Sequence, residues 1–253
     1  MTPDDIVASL RSAGCVFAED EAALLIDAAD GPAELAAMVS DRVAGRPLEY
    51  IVGWVAFGDL RIQVADGVFV PRSRTQLLAA QAARLVSGDA VLIEMCCGAG
   101  AVAATVASRV PTAQIVACDI DPIATDCARR NLSDAQVCTG DLFDALPDTL
   151  RGRVGVIAAN APYVPTDAIA TMPREARQYE PRTTLDGGPD GLDIARRIVV
   201  GAPDWLGPGG HLLIETSTRQ AGALCAAMVR RGFDARTITD EDNGGTVAVA
   251  ALP

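Results

Sequence analysis

The sequence contains no lysine. All 21 of its cationic residues are arginines, set against 33 aspartates and glutamates, for a formal net charge of −12. Without lysine there is no amine for Schiff-base catalysis and none for a phosphate-binding loop of the Walker type. So acidic a chain also lacks the cationic surface that broad contact with a phosphate backbone requires. Stable nucleic-acid binding is therefore not expected, and a basic protein partner suits the charge better. Histidine occurs once, at His211. The seven cysteines (Cys15, Cys96, Cys97, Cys118, Cys127, Cys138 and Cys225) include no CxxC pair, so no metal site is expected and most are read as small buried apolar residues. Aromatic residues are only 4% of the chain, which leaves alanine, valine and leucine to fill the core. No run of about 18 uncharged apolar residues is present, so no membrane-spanning helix is expected. The first ten residues carry Asp4 and Asp5 and no cation, unlike a signal peptide, and the expected location is cytoplasmic.

What is present is a chain half apolar and 21% charged, enough to bury a sizeable core. Apolar residues recur at helical spacing from Asp4 to Ala44, as in Ile6, Val7 and Leu10 or Leu35, Met38 and Val39, with breaks at Gly14 and Asp30-Gly31-Pro32. This predicts a helical N-terminal domain over residues 1–48. From Tyr50 to Val70 the period shortens, which predicts two short strands about Ala65-Asp66-Gly67 and a β-hairpin connector over 49–74. Beyond Thr75 helices and strands alternate to the end of the chain. Strands are predicted at Ala90–Met95, Ile115–Cys118, near Val137, and at Val154–Ala159, His211–Glu215, Asp234–Ile238 and Thr246–Ala250. Alternation of this kind implies one α/β domain, 75–253, with a largely parallel sheet covered on both faces.

Chemistry-bearing residues recur at the predicted strand ends. The first strand runs into Glu94-Met95-Cys96-Cys97-Gly98-Ala99-Gly100, whose glycines permit a tight turn close to a ligand but lack the third glycine of the dinucleotide fingerprint. The second ends in Asp119, placed to accept hydrogen bonds from the hydroxyls of an unphosphorylated ribose. The third leads to Gly140-Asp141-Leu142-Phe143, a carboxylate and an apolar side chain where an adenine could lie. Singly these are ordinary turn residues; at successive strand ends they outline an adenosine pocket. The fourth strand, Val154–Ala159, continues into Asn160-Ala161-Pro162-Tyr163. This resembles the (N/D/S)PP(Y/F/W) signature of methyltransferases that act on a planar nitrogen, with alanine in place of the first proline. The lone pair of an amide nitrogen is delocalised into its carbonyl, so the nitrogen must be oriented and its developing charge stabilised. The Asn160 side-chain oxygen and the Ala161 backbone carbonyl can each accept one N–H of a substrate NH₂, while Pro162 stiffens the turn and Tyr163 packs against the planar group.

The likeness extends along most of the chain. Arg46-Pro47-Leu48-Glu49-Tyr50-Ile51-Val52-Gly53, Gly67-Val68-Phe69-Val70-Pro71-Arg72, Tyr179-Glu180-Pro181-Arg182, Asp186-Gly187-Gly188-Pro189-Asp190-Gly191-Leu192 and Leu213-Ile214-Glu215 occur in order. Together they resemble the protein-glutamine methyltransferases that modify class I peptide release factors, and a sister family acting on a ribosomal protein. The resemblance implies a Rossmann-like, class I fold with a seven-strand, mostly parallel sheet, and S-adenosylmethionine (AdoMet) as methyl donor. It also implies a helical N-terminal domain that docks a protein substrate, and a monomer is expected. Donor contacts are implied at Glu94, Cys96, Cys97, Gly98, Ala99, Gly100, Asp119, Ile120, Asp141, Leu142 and Asn160, amide binding at Asn160, Ala161, Pro162 and Tyr163, and a place near the site mouth for Arg72 and Thr75. The chain departs from the family at Glu94-Met95-Cys96-Cys97, where Asp-Leu-Gly-Thr is usual, and at Ser73-Arg74, where Pro-Glu is usual. These departures bear on the acceptor more than on the donor, and leave a small molecule or an exocyclic base amine as alternative acceptors.

Overall fold

A computed structural model describes all 253 residues, Met1–Pro253. The helical periodicity of the first stretch forms α1 (Pro3–Ser12), α2 (Ala18–Ala28) and α3 (Pro32–Val43). Helix α1 starts on a capping box between Thr2 and Asp5, with Pro3 in the first turn where its missing N–H leaves no bond unmade. Ile6 and Leu10 of α1 close with Ala18, Ala22, Leu25 and Val39 into a small core of their own. A short helix, α4 (Leu48–Val52), runs across the expected 48/49 boundary and stops at Gly53, which is left-handed.

The connector differs from expectation. Its hairpin is β1 (Trp54–Phe57) and β2 (Leu60–Gln63), turning at Gly58-Asp59, with Val55 opposite Ile62. Asp66-Gly67 is a second turn, closed by the Val68 N–H donating to the Ala65 carbonyl at 3.0 Å. It directs the chain inward instead of back along β2, so Val68 and Val70 are buried in irregular backbone and not on a strand. Both Gly-Asp and Asp-Gly are turn signals; the two-residue loop wins because it pairs apolar residues of like face across the ladder.

The remainder is α5 (Gln76–Leu85), β3 (Val91–Met95), α6 (Ala101–Arg109), β4 (Gln114–Asp119), α7 (Pro122–Asn131), β5 (Gln136–Thr139), β6 (Val154–Ala159), α8 (Arg174–Tyr179), α9 (Asp193–Gly201), β7 (Leu206–Glu215), α10 (Thr218–Arg230), β8 (Asp234–Asp240) and β9 (Gly245–Ala251). The seven strands lie in the order β5-β4-β3-β6-β7-β9-β8, parallel from β5 to β7, with β9 antiparallel to both its neighbours. Two apolar layers cover the sheet. Leu78, Ala82, Val102 and Val106 pack on one face and Ile198, Leu224, Met228 and Trp205 on the other. This explains why β3 and β6 read as continuous apolar runs. From β3 the chain winds outward through β4 and β5, then returns to β6 on the other side. The strand order therefore reverses between β3 and β6, and a crevice opens beyond their C-terminal ends.

Candidate active site

A cavity of about 540 Å³ occupies that crevice, within the range of small-molecule sites. One half of it is built by three successive strand ends. After β3 the chain turns at Cys96, φ 52, and after β5 at Leu142, φ 48; these are the chain's only non-glycine residues with positive φ, and both line the cavity. Strained backbone of this kind persists where the surrounding structure over-determines it. Asp119, at the end of β4, is anchored by accepting the Gly98 N–H at 2.9 Å on one oxygen and the Asp121 N–H at 3.0 Å on the other. Burial raises its pKa, and the N–H groups of Asp121 and Gly98 oppose that rise. Each oxygen keeps a lone pair for a ligand hydroxyl. Ile120 lines the cavity beside it while 64% exposed, an apolar surface with no protein cover.

Glu94 lies deeper. Its carboxylate accepts the Ala103 N–H at 2.7 Å and the Val102 N–H at 3.3 Å, closing the first turn of α6 as well as lining the cavity floor. Burial pushes its pKa up to about 8 against those two bonds. Asp141 sits at the rim and accepts from the Arg197 guanidinium at 2.8 Å. Cys97, Gly98, Ala99 and Leu142 also line the cavity; Gly100 does not. Its role is beneath the turn. With φ +78 any side chain there would strain the backbone, and its Cβ would press on Leu132, 2.8 Å from Cδ1.

The other half is built on the Asn160–Tyr163 turn, all four residues of which line the cavity. Asn160 Nδ2 donates to Thr75 Oγ1 at 3.3 Å, whereas neither Asn160 Oδ1 nor the Ala161 carbonyl receives a hydrogen bond from the protein. The turn is buttressed from below. The Tyr163 carbonyl accepts from Gln220 Nε2 at 2.8 Å, and the same amide group donates to the Asp190 carbonyl at 2.8 Å. Gly191 presses against this junction, since a Cβ there would lie 2.2 Å from the Tyr163 carbonyl oxygen. The Tyr163 hydroxyl lies 3.5 Å from Glu215 Oε1, and Arg74 Nε donates to the same oxygen at 3.3 Å. Burial raises the Tyr163 pKa, which keeps its hydroxyl a donor. Arg72 pairs with Glu180, a side chain only 2% exposed, and so ties the segment after α8 to the connector.

Arg72 and Thr75 also line the cavity, Thr75 within hydrogen-bond reach of Asn160. Three residues that support the site carried no signal of their own in the sequence. Glu215 and Glu180 were visible only as members of family-like segments, and Gln220 not at all; each acts over more than 50 residues of separation. His211, on β7, does not line the cavity.

Residues 60–176 match the Methyltransferase small domain family. The chain is 36% identical over 220 residues to a release factor glutamine methyltransferase of Geobacter sulfurreducens, covering 84% of this chain and 76% of that protein. It is 36% identical over 196 residues to the protein so named in Mycolicibacterium smegmatis, covering 74% and 69%. A solved methyltransferase of Pyrococcus furiosus superposes with a TM-score of 0.57 at 16% identity, over 78% of this chain and 90% of that one, a likeness of fold alone.

Proposed function

The chain belongs to the release factor glutamine methyltransferase family, and on that premise we infer that it transfers a methyl group from AdoMet to the side-chain amide nitrogen of a glutamine in a peptide release factor. The observation that carries this reading is the pair of unpartnered oxygens, Asn160 Oδ1 and the Ala161 carbonyl, on one turn beside the cavity. Two acceptors on adjacent residues match the two N–H donors of a primary amide.

The residues of the donor half fit AdoMet. Asp119 is pre-anchored with free lone pairs for a ribose, and Ile120 and Leu142 offer apolar cover for a base. The left-handed backbone at Cys96, Gly98 and Leu142 lets the chain pass close to a ligand. When bound, AdoMet supplies a methyl group carried on a sulfonium centre. Asn160 and Ala161 hold the acceptor nitrogen by both its protons, which converts a bimolecular encounter into an oriented one. The same two oxygens stabilise the positive charge that grows on nitrogen as its lone pair leaves conjugation. Tyr163 covers the planar amide, and the Thr75 and Gln220 contacts keep the turn from relaxing. No general base is needed, because the methylated nitrogen is acidic enough to lose its proton to water.

The test is transfer of labelled methyl from AdoMet into purified release factor, ribosomal proteins and nucleic acid. Label is expected in release factor and at a glutamine. Asn160→Ala is expected to lower the rate roughly 100- to 1,000-fold, as loss of one preorganised charge-stabilising contact does, with S-adenosylhomocysteine (AdoHcy) binding reduced far less. Label confined to nucleic acid or to a small molecule would overturn the reading.

A further inference from the structure

The charged residues of the cavity wall are sorted by sign. Glu94, Asp119 and Asp141 line the half built at the ends of β3, β4 and β5. Arg72, Arg74 and Arg182 line the half built on the Asn160–Tyr163 turn and on the segment bridged to it between Val164 and Asp186. Arginine is the minority charge of the chain, 21 residues against 33 acidic ones, so composition alone does not gather it here.

Each of these arginines is backed by a carboxylate set deeper than itself. Arg72 pairs with Glu180, Arg74 with Glu215 and Arg182 with Asp186. The side chains of Glu180 and Glu215 are 2% and 1% exposed against 34% and 41% for their arginines, and Asp186 is 23% exposed against 66% for Arg182. In every pair the anion lies inside and the cation outside. An arginine that only faces water needs no such anchor, and a buried carboxylate is costly unless it is partnered.

The anchoring bonds leave two of the guanidinium groups open. Arg74 donates through Nε to Glu215 Oε1 at 3.3 Å, and Arg182 donates through Nε to Asp186 Oδ2 at 3.1 Å; neither has a protein partner for its Nη groups. Arg197, on the opposite half, instead spends Nη2 on Asp141. Both anchors are themselves fixed. Asp186 Oδ1 accepts from Thr166 Oγ1 at 2.7 Å and from the Gly188 N–H at 3.1 Å, and the Arg74 guanidinium carbon lies 5.8 Å from the centre of the Tyr163 ring. Two planar forks are thus held at their base with their paired donors free, and parallel N–H donors match the two oxygens of a carboxylate.

Two carboxylates come into question, the one on the amino-acid end of AdoMet and one carried by the acceptor. Arg74 and Arg182 bond to no residue of the β3–β5 half, and Arg74 lies against Tyr163, which covers the acceptor amide. We propose that Arg74 and Arg182 form a carboxylate-binding subsite that takes an acidic residue of the acceptor polypeptide close to the methylated glutamine. The proposal rests on the amide-methylation reading and adds to it the charge of the acceptor segment. That preference is local, because a chain of net charge −12 repels an acidic partner at long range.

The AdoHcy-bound protein is titrated with acetyl-Asp-Gln-Asp-amide and with acetyl-Asn-Gln-Asn-amide, which differ in charge and scarcely in size. Binding is followed through the Nε–H NMR signals of Arg74 and Arg182, assigned by their loss in Arg74→Gln and Arg182→Gln. The acidic peptide is expected to shift both signals and to bind roughly 10-fold more tightly at low salt, the scale of a hydrogen bond to a charged group, with the advantage shrinking as salt is added. Either variant is expected to reduce that advantage and the double variant to abolish it. Arg74→Lys, which keeps the charge and loses the fork, is expected to restore only part. In methyl transfer to release factor the double variant is expected to raise KM about 10-fold, with kcat little changed. Equal binding of the two peptides, binding of neither, or an acidic preference that survives in the double variant would overturn the proposal. So would a loss of AdoHcy affinity in Arg74→Gln with methylthioadenosine affinity unchanged, which would give the subsite to the donor's carboxylate. An oligonucleotide that shifts both signals and outcompetes the acidic peptide would overturn it in favour of phosphate. If Arg74→Gln does not fold, Arg182→Gln with an undiminished acidic preference sinks the proposal. Release factor left unlabelled by an enzyme that selects the acidic peptide through these arginines would refute the release-factor reading and leave the subsite standing; labelled release factor with no acidic preference would refute the subsite alone.

Discussion

Cys96 holds a left-handed backbone, φ 52, at a turn where this family usually has glycine. A non-glycine residue there costs roughly 1–3 kcal/mol, whereas glycine would forfeit only about 0.4–1 kcal/mol through the freer unfolded chain. Cys96→Gly is therefore expected to stabilise the protein by about 0.5–1 kcal/mol, read as a higher urea midpoint with an unchanged slope. AdoHcy affinity should be retained, because the backbone path is one that glycine adopts freely. A lower midpoint would show that the Cys96 side chain, which packs on the core layer holding Met95 and Cys118, contributes more than the strain removes. The same turn illustrates what a residue discloses on its own. Asp119 and Asn160 could be placed beside the cavity from the sequence because one ends its strand and the other follows its strand directly, where a parallel sheet opens its crevice. Glu215 also ends a strand, but its partners, Arg74 and Tyr163, come from distant segments of the chain. Nothing local to Leu213-Ile214-Glu215 distinguishes a buried carboxylate with distant partners from a polar strand terminus. Gln220 is still less visible, since its side chain both completes the capping box of α10 and reaches the Tyr163 carbonyl.

Elements were more legible than contacts because hydrophobic period survives without knowledge of partners. Every strand expected after Thr75 is present, and helix starts such as Pro122 fall where a first-turn proline predicts. The hairpin was misplaced because two turn signals lie eight residues apart and only cross-strand pairing chooses between them. Helix α6 shows a further coupling between element and site. Its first turn has no side-chain cap from Gly100 and is closed by Glu94 from the neighbouring strand. The Glu94 pKa rises from 4.5 unfolded to about 8 in the fold. The folded state then binds the extra proton, so this group's contribution is fully present below pH 4.5 and is lost as pH rises through about 8. Stability is expected to fall between those limits, and Glu94→Gln, which carries no charge at any pH, should flatten the fall. Urea midpoints of both proteins at mildly acidic and mildly alkaline pH check this. A wild-type midpoint that rises with pH while the Glu94→Gln midpoint does not would mean that α6 holds Glu94 ionised throughout.

At the scale of the whole molecule, the segment between Tyr163 and Leu192 is fastened to every other part. Its Glu180 pairs with Arg72 of the connector, its Asp190 carbonyl accepts from Gln220 of α10, and its Glu175 reaches the N-terminal helices through Arg42. Arg42 is the junction of that last link. It grips Glu21 of α2 through Nε at 2.6 Å and Nη2 at 3.3 Å, and donates through Nη1 to the Arg46 carbonyl at 3.0 Å and to Glu175 at 3.2 Å. The side chains of Arg42 and Glu21 are only 13% and 12% exposed, so that pair lies largely out of water, whereas the Glu175 end of the link is 44% exposed. Arg42→Ala would leave Glu21 half-buried and unpaired, at about 1–3 kcal/mol of stability, and would detach α8 from the helices. Because Met172, Glu180 and Leu185 of this segment wall the acceptor side of the cavity while the donor side is built on the sheet, the two halves should respond differently. The acceptor KM is expected to rise several-fold and cleavage within 163–192 by a protease to accelerate, with AdoHcy binding unchanged. Equal loss of donor and acceptor binding would instead show that Arg42 supports the fold as a whole. An unaltered acceptor KM with faster cleavage would show that the segment is tethered by Arg72 and Gln220 alone for the purpose of binding.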